Sequence, residues 1–432
     1  MKTYKLKPIS MALLCLTMGM SGLAGANAYI QCPGDGVLGP RDAVPDQTVN
    51  DPVTRQPRNI KCMHLSSSEG YITMADGRPQ YIFGFADITG IPESAALAEG
   101  VLNAHFPGSM IELDEGQEFY LTLSNSGFVI RPDLFDGHTV HFHGFPNAAS
   151  AYDGVPETSF AINPGASLTY YYNLVEPGTY MYHCHNEAAE HMQMGMLGNL
   201  YVHPAQDATG CAGNACPVAI RKGGSDPAAP MGYAYNDGDG ATAYDVEAAL
   251  QLGSFDPKFH DADETVQPLS FADMNDRYAM INGRGYPDTV NPAPLPPPSS
   301  GGTILNATPS VHDLGIQSQD ETALVTASVG QRILLRVSNL SVAKIFTVTL
   351  LGLDMKVIGA GSKIMRGHGT AGGKDISYRT NSVTLGGGEA VDVMVDTTGV
   401  APGTYYLYTS DLNYLSNNHE DFGGMMTEIR IN

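Results

Sequence analysis

The sequence predicts an all-β chain made of two β-sandwich domains. Three observations lead there. Short apolar stretches alternate with a period of two residues, as half-buried strands do. The same stretches occur twice along the chain. The 49 Gly and 28 Pro in 432 residues supply turns at close intervals.

The chain opens with a segment that belongs to neither sandwich. Lys2, Lys5 and Lys7 form a basic start, an apolar stretch around Met11–Met18 follows, and Ala26-Asn27-Ala28 is a small-x-small cleavage signal. Residues 1–28 therefore read as a secretory signal peptide cut at Ala28/Tyr29. Leu14 is too large to precede a lipidated Cys15. No later segment has the roughly 20 apolar residues of a membrane span. The expected location is periplasmic or extracellular. Formal charge is −22 and becomes −25 once the three leader lysines are removed. That balance argues against nucleic acid as a partner. Five cysteines remain, and the pairs expected in an oxidising compartment are Cys32 with Cys62 and Cys211 with Cys216. Cys184 is left over, as reactive or ligating thiols in secreted proteins are.

The first sandwich is expected over residues 29–205 and the second over 255–432. "GQEFYLTLSNSG" (Gly116–Gly127) pairs with "GQRILLRVSNLS" (Gly330–Ser341), "HTVHFHG" (His138–Gly144) with "FTVTLLG" (Phe346–Gly352), and "EPGTYMY" (Glu176–Tyr182) with "APGTYYLY" (Ala401–Tyr408). The offset is about 210 to 225 residues, which means two related domains rather than a solenoid. Residues 206–254, rich in Gly, Ala and Asp, read as a linker, and "PAPLPPPSSGG" (Pro292–Gly302) as a loop near the start of the second sandwich.

Strand parity then sorts the candidate ligands, because successive side chains point to opposite faces. In "YHCHN", His183 and His185 share one face and Cys184 takes the other. In "HTVHFHG", His141 and His143 share a face, and His138 has the opposite parity. One set holds His138 and Cys184; the other holds His141, His143, His183 and His185. His191 and Met196, in a loop beyond the strand, can fold back to the first set. A thiolate, two imidazoles and a weak axial thioether are the ligands of a blue-copper site. Four imidazoles on one face suit further copper.

"HTVHFHG" and "HCHNEAAEHMQMGM" resemble the motifs of the multicopper oxidases. The resemblance implies two cupredoxin-like Greek-key β-sandwich domains. It implies His138, Cys184, His191 and Met196 as type 1 copper ligands, His141 as a type 2 ligand, and His143, His183 and His185 as type 3 ligands. "DGVPE" (Asp153–Glu157) also resembles the family, and gives Asp153 a role in proton transfer near the cluster. Electrons from a reducing substrate would pass from the first copper through Cys184 to its flanking histidines, and there to dioxygen.

Two features depart from the family. Five residues separate His185 from His191 where the usual pattern has three; the His191–Met196 interval is kept, which favours Met196 over Met192 or Met194. The second domain has lost its ligands. Phe346, Thr349 and Leu351 stand opposite His138, His141 and His143, and Tyr408, Thr409 and Ser410 opposite His183, Cys184 and His185. Beyond the Pro-rich loop only His312, His368 and His419 remain, and no two form an HxH pair. One chain thus supplies half a trinuclear cluster. A homo-oligomer, a smaller site completed by a neighbour's histidine, or a different protein would complete it.

Plainer roles are assigned elsewhere. Met192 and Met194 read as packing. "HDADE" (His260–Glu264) reads as a solvated acidic loop. His64 and His105 carry no pattern. The functional expectation is a copper-dependent oxidase outside the cytoplasm that takes electrons from a metal ion or a phenol. The alternatives are a nitrite-reductase-like enzyme with a mononuclear second site and a non-enzymatic copper-binding or electron-transfer protein.

Overall fold

The structure, a computed structural model, describes residues 27–298, 317–367 and 373–432. The leader up to residue 26, His312 and His368 lie outside those residues.

The first sandwich has eight strands: β1 (Ile60–Thr73), β2 (Pro79–Asp87), β3 (Gly108–Asp114), β4 (Glu118–Asn125), β5 (His141–Phe142), β6 (Ser167–Asn173), β7 (Gly178–His183) and β8 (Leu197–His203). One sheet runs β2-β1-β4-β6 and the other β3-β8-β7-β5. The alternation seen in β4 does what it predicts: Phe119, Leu121 and Leu123 are fully buried. They join Phe83, Tyr170, Tyr182 and Leu200 in a core that also contains Cys184, Met194 and Met196. The free thiol therefore sits inside the hydrophobic core.

A two-stranded ribbon, β9 (Gly232–Tyr233) with β10 (Ala243–Tyr244), precedes the second sandwich. One sheet of that sandwich contains β11 (Val246–Phe255), β12 (Tyr278–Ile281), β14 (Arg332–Asn339), β16 (Met355–Ala360), β17 (Lys363–Ile364), β18 (Tyr378–Thr380) and β20 (Glu389–Asp396). The other contains β13 (Val325–Ala327), β15 (Phe346–Leu350), β19 (Ser382–Leu385), β21 (Gly403–Thr409) and β22 (Met426–Ile431). Ile333, Leu335 and Val337 of β14 are buried like their counterparts in β4.

The stretch 206–254, expected as a linker, is ordered differently. It holds the β9–β10 ribbon and the Cys211–Cys216 disulfide, and β11 begins within it at Val246. Strand β11 pairs in parallel with β14 and is part of the second sandwich. Its Ala and Gly residues masked the alternation. The Cys32–Cys62 disulfide is also formed, and among the described residues Cys184 is the free cysteine.

The two sandwiches meet through an apolar patch and a polar seam. Met181 and Leu197 of the first pack with Phe255, Tyr278, Met280 and Leu340 of the second. Beside them Arg336, fully buried, donates to Glu247 at 2.5 Å and to Thr179 at 3.0 Å. Thr179 in turn donates to Asp392 at 2.5 Å, and Ser338 to Asn199 at 2.7 Å. A buried cation with this many partners is costly to strip of them.

Candidate metal centres

The first centre is built from a loop, a strand end and a short helix. The backbone N–H and carbonyl of His138 exchange hydrogen bonds with Ile162 at 3.0 and 2.9 Å, and the Asn125 amide donates to the carbonyls of Asp136 and Ile162. These bonds fix the loop that delivers His138. Strand β7 ends at His183, so Cys184 stands one residue beyond it. Its backbone N–H donates to the Met196 carbonyl at 3.0 Å, which keeps the chain extended.

His191 lies on a helix, Ala188–Met194, where the sequence suggested only a loop. The run of Ala, Glu, Gln and Met suits a helix, and Gly195 ends it in the left-handed conformation at φ 117°. A Cβ at position 195 would meet the Phe83 carbonyl at 2.8 Å, so only glycine fits. That turn brings Met196 back into the core beside the thiol.

The His191 and His138 Nδ1 atoms lie 3.2 and 3.9 Å from Cys184 Sγ. All three side chains are buried, and Met196 is fully buried. The Thr139 N–H donates to the sulfur at 3.4 Å. Phe128 packs on His138, and the His191 ring meets the edge of Phe83. Burial, then the nearby His191, hold His138 well below its ordinary pKa. For His191 burial acts the same way, but Cys184 and Asp136 outweigh it and carry the pKa up to about 10. A soft thiolate and two Nδ1 donors in an apolar shell, with a thioether residue beside them, fit copper. His191 Nε2 faces Asp136 Oδ2 at 3.8 Å.

The second centre lies on the opposite side of Cys184. His141 of β5 and His183 of β7 are direct partners across an antiparallel pair. His143, two residues on, shares their face. Ligand atoms of these three residues lie within 4.8 Å of one another. Each Nδ1 is held by a backbone carbonyl: Asp153 at 2.6 Å for His141, Gly388 at 3.4 Å for His143 and Cys184 at 2.7 Å for His183. A carbonyl only accepts, so each Nδ1 carries a proton, and the Nε2 atoms of His143 and His183, which burial keeps neutral, present lone pairs. His143 and His183 aim those Nε2 atoms at each other across 2.9 Å. Lone pairs so placed ask for a cation, so this donor set also fits copper. Burial, then neighbouring imidazoles, lower the His143 pKa. Burial drives His183 down to about 3 against the pull of its carbonyl bond.

His185 stands beside this trio, its ring 5.0 Å from that of His141 and 5.4 Å from that of His183. The Thr139 hydroxyl accepts from its backbone N–H at 3.0 Å. Asp153 lies on the wall of a cavity of about 460 Å³ together with His141 and His143. The second sandwich contributes Gly361, Ser362, Gly388 and Ala390 to that wall. None of these is an imidazole, thiol or carboxylate. His419 lies on an exposed loop, away from this wall.

The structure brings together His138, Cys184 and His191 in one group and His141, His143 and His183 in another, with His185 beside the second rather than in it. Parity missed Thr139, which touches both centres, and Gly388, which holds His143 from 245 residues away. Asp136 was missed as well, though it lies two residues before His138.

These observations define a two-sandwich protein with a buried cysteine–imidazole centre joined by one covalent step to a cluster of imidazoles. Two multicopper oxidase family profiles match, over residues 93–207 and 265–429. The chain belongs to the multicopper oxidase family, and its sandwiches are cupredoxin-like. It is 33% identical over 118 residues to laccase abr2 of Aspergillus fumigatus, covering 27% of this chain and 19% of that protein. The matched region spans about a fifth of the length of such curated relatives. Among solved structures, the blue copper oxidase of Nitrosomonas europaea superposes with a TM-score of 0.57 at 19% identity, over 86% of each chain. The copper nitrite reductase of Nitrosomonas europaea does so with a TM-score of 0.52 at 16% identity, over 86% of this chain and 94% of that one. At such identities the likeness is one of fold.

Proposed function

We propose that this protein is a secreted, copper-dependent oxidase that takes single electrons from a reducing substrate near His191 and passes them to dioxygen. Copper at the two centres would supply the one-electron chemistry. The observation that carries the reading is the covalent join: Cys184 belongs to the first centre and the adjacent His183 to the second. The chain's own residues have defined tasks. Cys184, His138, His191 and Met196 hold the first ion in a dry site. His141, His143 and His183, with His185 beside them, present Nε2 donors to the second. Asp153 faces the same cavity and is placed to hand on protons there.

Asp136 and Glu187 lie with His191 in one group of potential ligand atoms. Carboxylates there favour a cationic donor, such as a reduced metal ion, over an anion. A phenol is the other donor class. Among the described residues the second sandwich brings no imidazole to the wall of the second centre, so a neighbouring copy of this chain is the proposed source of further ligands. Among the described residues, no helix is long and apolar enough to cross a membrane. A periplasmic or extracellular location fits the leader.

Copper stoichiometry on purified, loaded protein, with the mass measured by light scattering on the same sample, tests this. Two or more coppers per chain in an oligomer, with oxygen uptake on a reducing substrate, is the expected result. One copper per chain in a monomer would overturn it and leave an electron carrier. A second reading rests on the imidazole-free wall from the second sandwich: a nitrite-reductase-like enzyme with a mononuclear second centre. Turnover of nitrite and none of oxygen would favour it.

A further inference from the structure

We propose that Gln193 and Asp276 are positioning residues through which the ligand-free second sandwich sets the geometry of the first centre. This rests on the reading of His138, Cys184, His191 and Met196 as copper ligands. The helix Ala188–Met194 lies between two of them and has only seven residues. A helix this short is marginal by itself, and its first residues have no side-chain cap. Something else must hold it.

The second sandwich does so on the helix's outer face. Met192 packs against the cluster of Phe255, Tyr278, Met280 and Leu340. Gln193 is 1% exposed and donates its Nε2 to Asp276 Oδ1 at 3.4 Å. Asp276, 2% exposed, also accepts from Ser254 Oγ at 2.5 Å, and Ser254 meets Ser341 Oγ at 3.2 Å. Ser254 is the penultimate residue of β11, Asp276 stands two residues before β12 and Ser341 two residues after β14. Three separate segments of one sheet therefore form a relay, Ser341 to Ser254 to Asp276, that ends on one side chain of the ligand helix. A buried carboxylate and a buried amide hold each other because either is costly alone.

His191, two residues before Gln193, receives the position this contact sets. Outer contacts of this kind orient the ligand that a metal sees. The copper-free sandwich thereby has a task in the first centre, independent of Gly388 in the second.

The test uses full-length, copper-loaded protein and the variants Gln193→Ala, Asp276→Ala and Asp276→Asn. Visible absorption, electron paramagnetic resonance and the reduction potential of the first centre are read. Gln193→Ala and Asp276→Ala are expected to shift all three and to weaken copper retention there about tenfold. Asp276→Asn keeps an acceptor for Gln193 and is expected to restore the unaltered signals. If Asp276→Ala does not fold, Gln193→Ala carries the measurement, since it leaves Asp276 bonded to Ser254. Unaltered signals in folded Gln193→Ala overturn the proposal alone. No blue signal in the unaltered protein overturns the ligand reading and this proposal with it.

Discussion

His143 and His183 set their Nε2 atoms 2.9 Å apart while both Nδ1 atoms donate to backbone carbonyls. Two lone pairs face each other with no proton between them. The metal-free protein therefore carries a repulsion that a bound cation converts to attraction. A divalent ion at about a hundred times its dissociation constant should stabilise the fold by about 2.7 kcal/mol. A chelator should reverse the gain in a thermal melt. In His143→Gln the metal-free protein should melt no lower than the unaltered one, and added ion should give a smaller shift, the part that the first centre supplies. An ion-dependent shift undiminished in His143→Gln would remove the second centre from its assigned place.

Cys184 supplies the only sulfur anion at the first centre. Cys184→Ser should abolish any strong blue absorption while leaving copper at His141, His143 and His183. A hydroxyl is a poor copper ligand where a thiolate is a good one. Colour that persists in this variant would sink the type 1 assignment.

Gly388 reaches the second centre from the second sandwich. Its φ is 85°, and a Cβ there would meet His143 Cε1 at 2.9 Å. Gly388→Ala should cost about 1 kcal/mol in backbone strain. It should also push the His143 ring and weaken ion binding at the second centre by about tenfold, or about 1.4 kcal/mol. Calorimetric titration of the metal-free variant measures the second effect, and a denaturant midpoint the first.

Three buried histidines outside both centres set a pH dependence. Burial lowers His64 to about 4, His260 to about 4 and His203 to about 3. The folded state keeps them neutral, and the unfolded chain takes up protons first, near pH 6.5. Their stabilising contribution is whole above that value and is lost as pH falls toward 4. At about pH 5 each should have removed on the order of 2 kcal/mol. Urea midpoints taken across this range should fall, and His64→Gln should flatten the curve. Gln keeps a partner for the Ser124 hydroxyl, which His64 meets at 2.8 Å.

Most of the candidate site was legible in the sequence because its residues sit on or beside strands, where parity governs direction. The comparison of copies was sound in detail. His141 pairs with His183 in the first sandwich, and Thr349 with Tyr408 in the second, at the positions the repeat assigned. The helix Ala188–Met194 was missed because seven residues give too little periodicity to register. Strand β11 was hidden by small residues. Gly388 and Asp276 act across long separations, which no local pattern carries. His260, read as part of a solvated acidic loop, is buried and lies 2.6 Å from the Tyr81 carbonyl.

Arg336 has one more consequence, for how the protein yields to a protease. Ser225–Ala228 is an exposed stretch between the two sandwiches and is an open target. Cutting it severs the only continuous backbone from one half to the other. Pulling the halves apart would still leave Arg336 without Thr179, and Met181 and Leu197 without their counterparts Phe255 and Met280. A clipped protein should therefore run as one species on a native column and as two fragments only in denaturant.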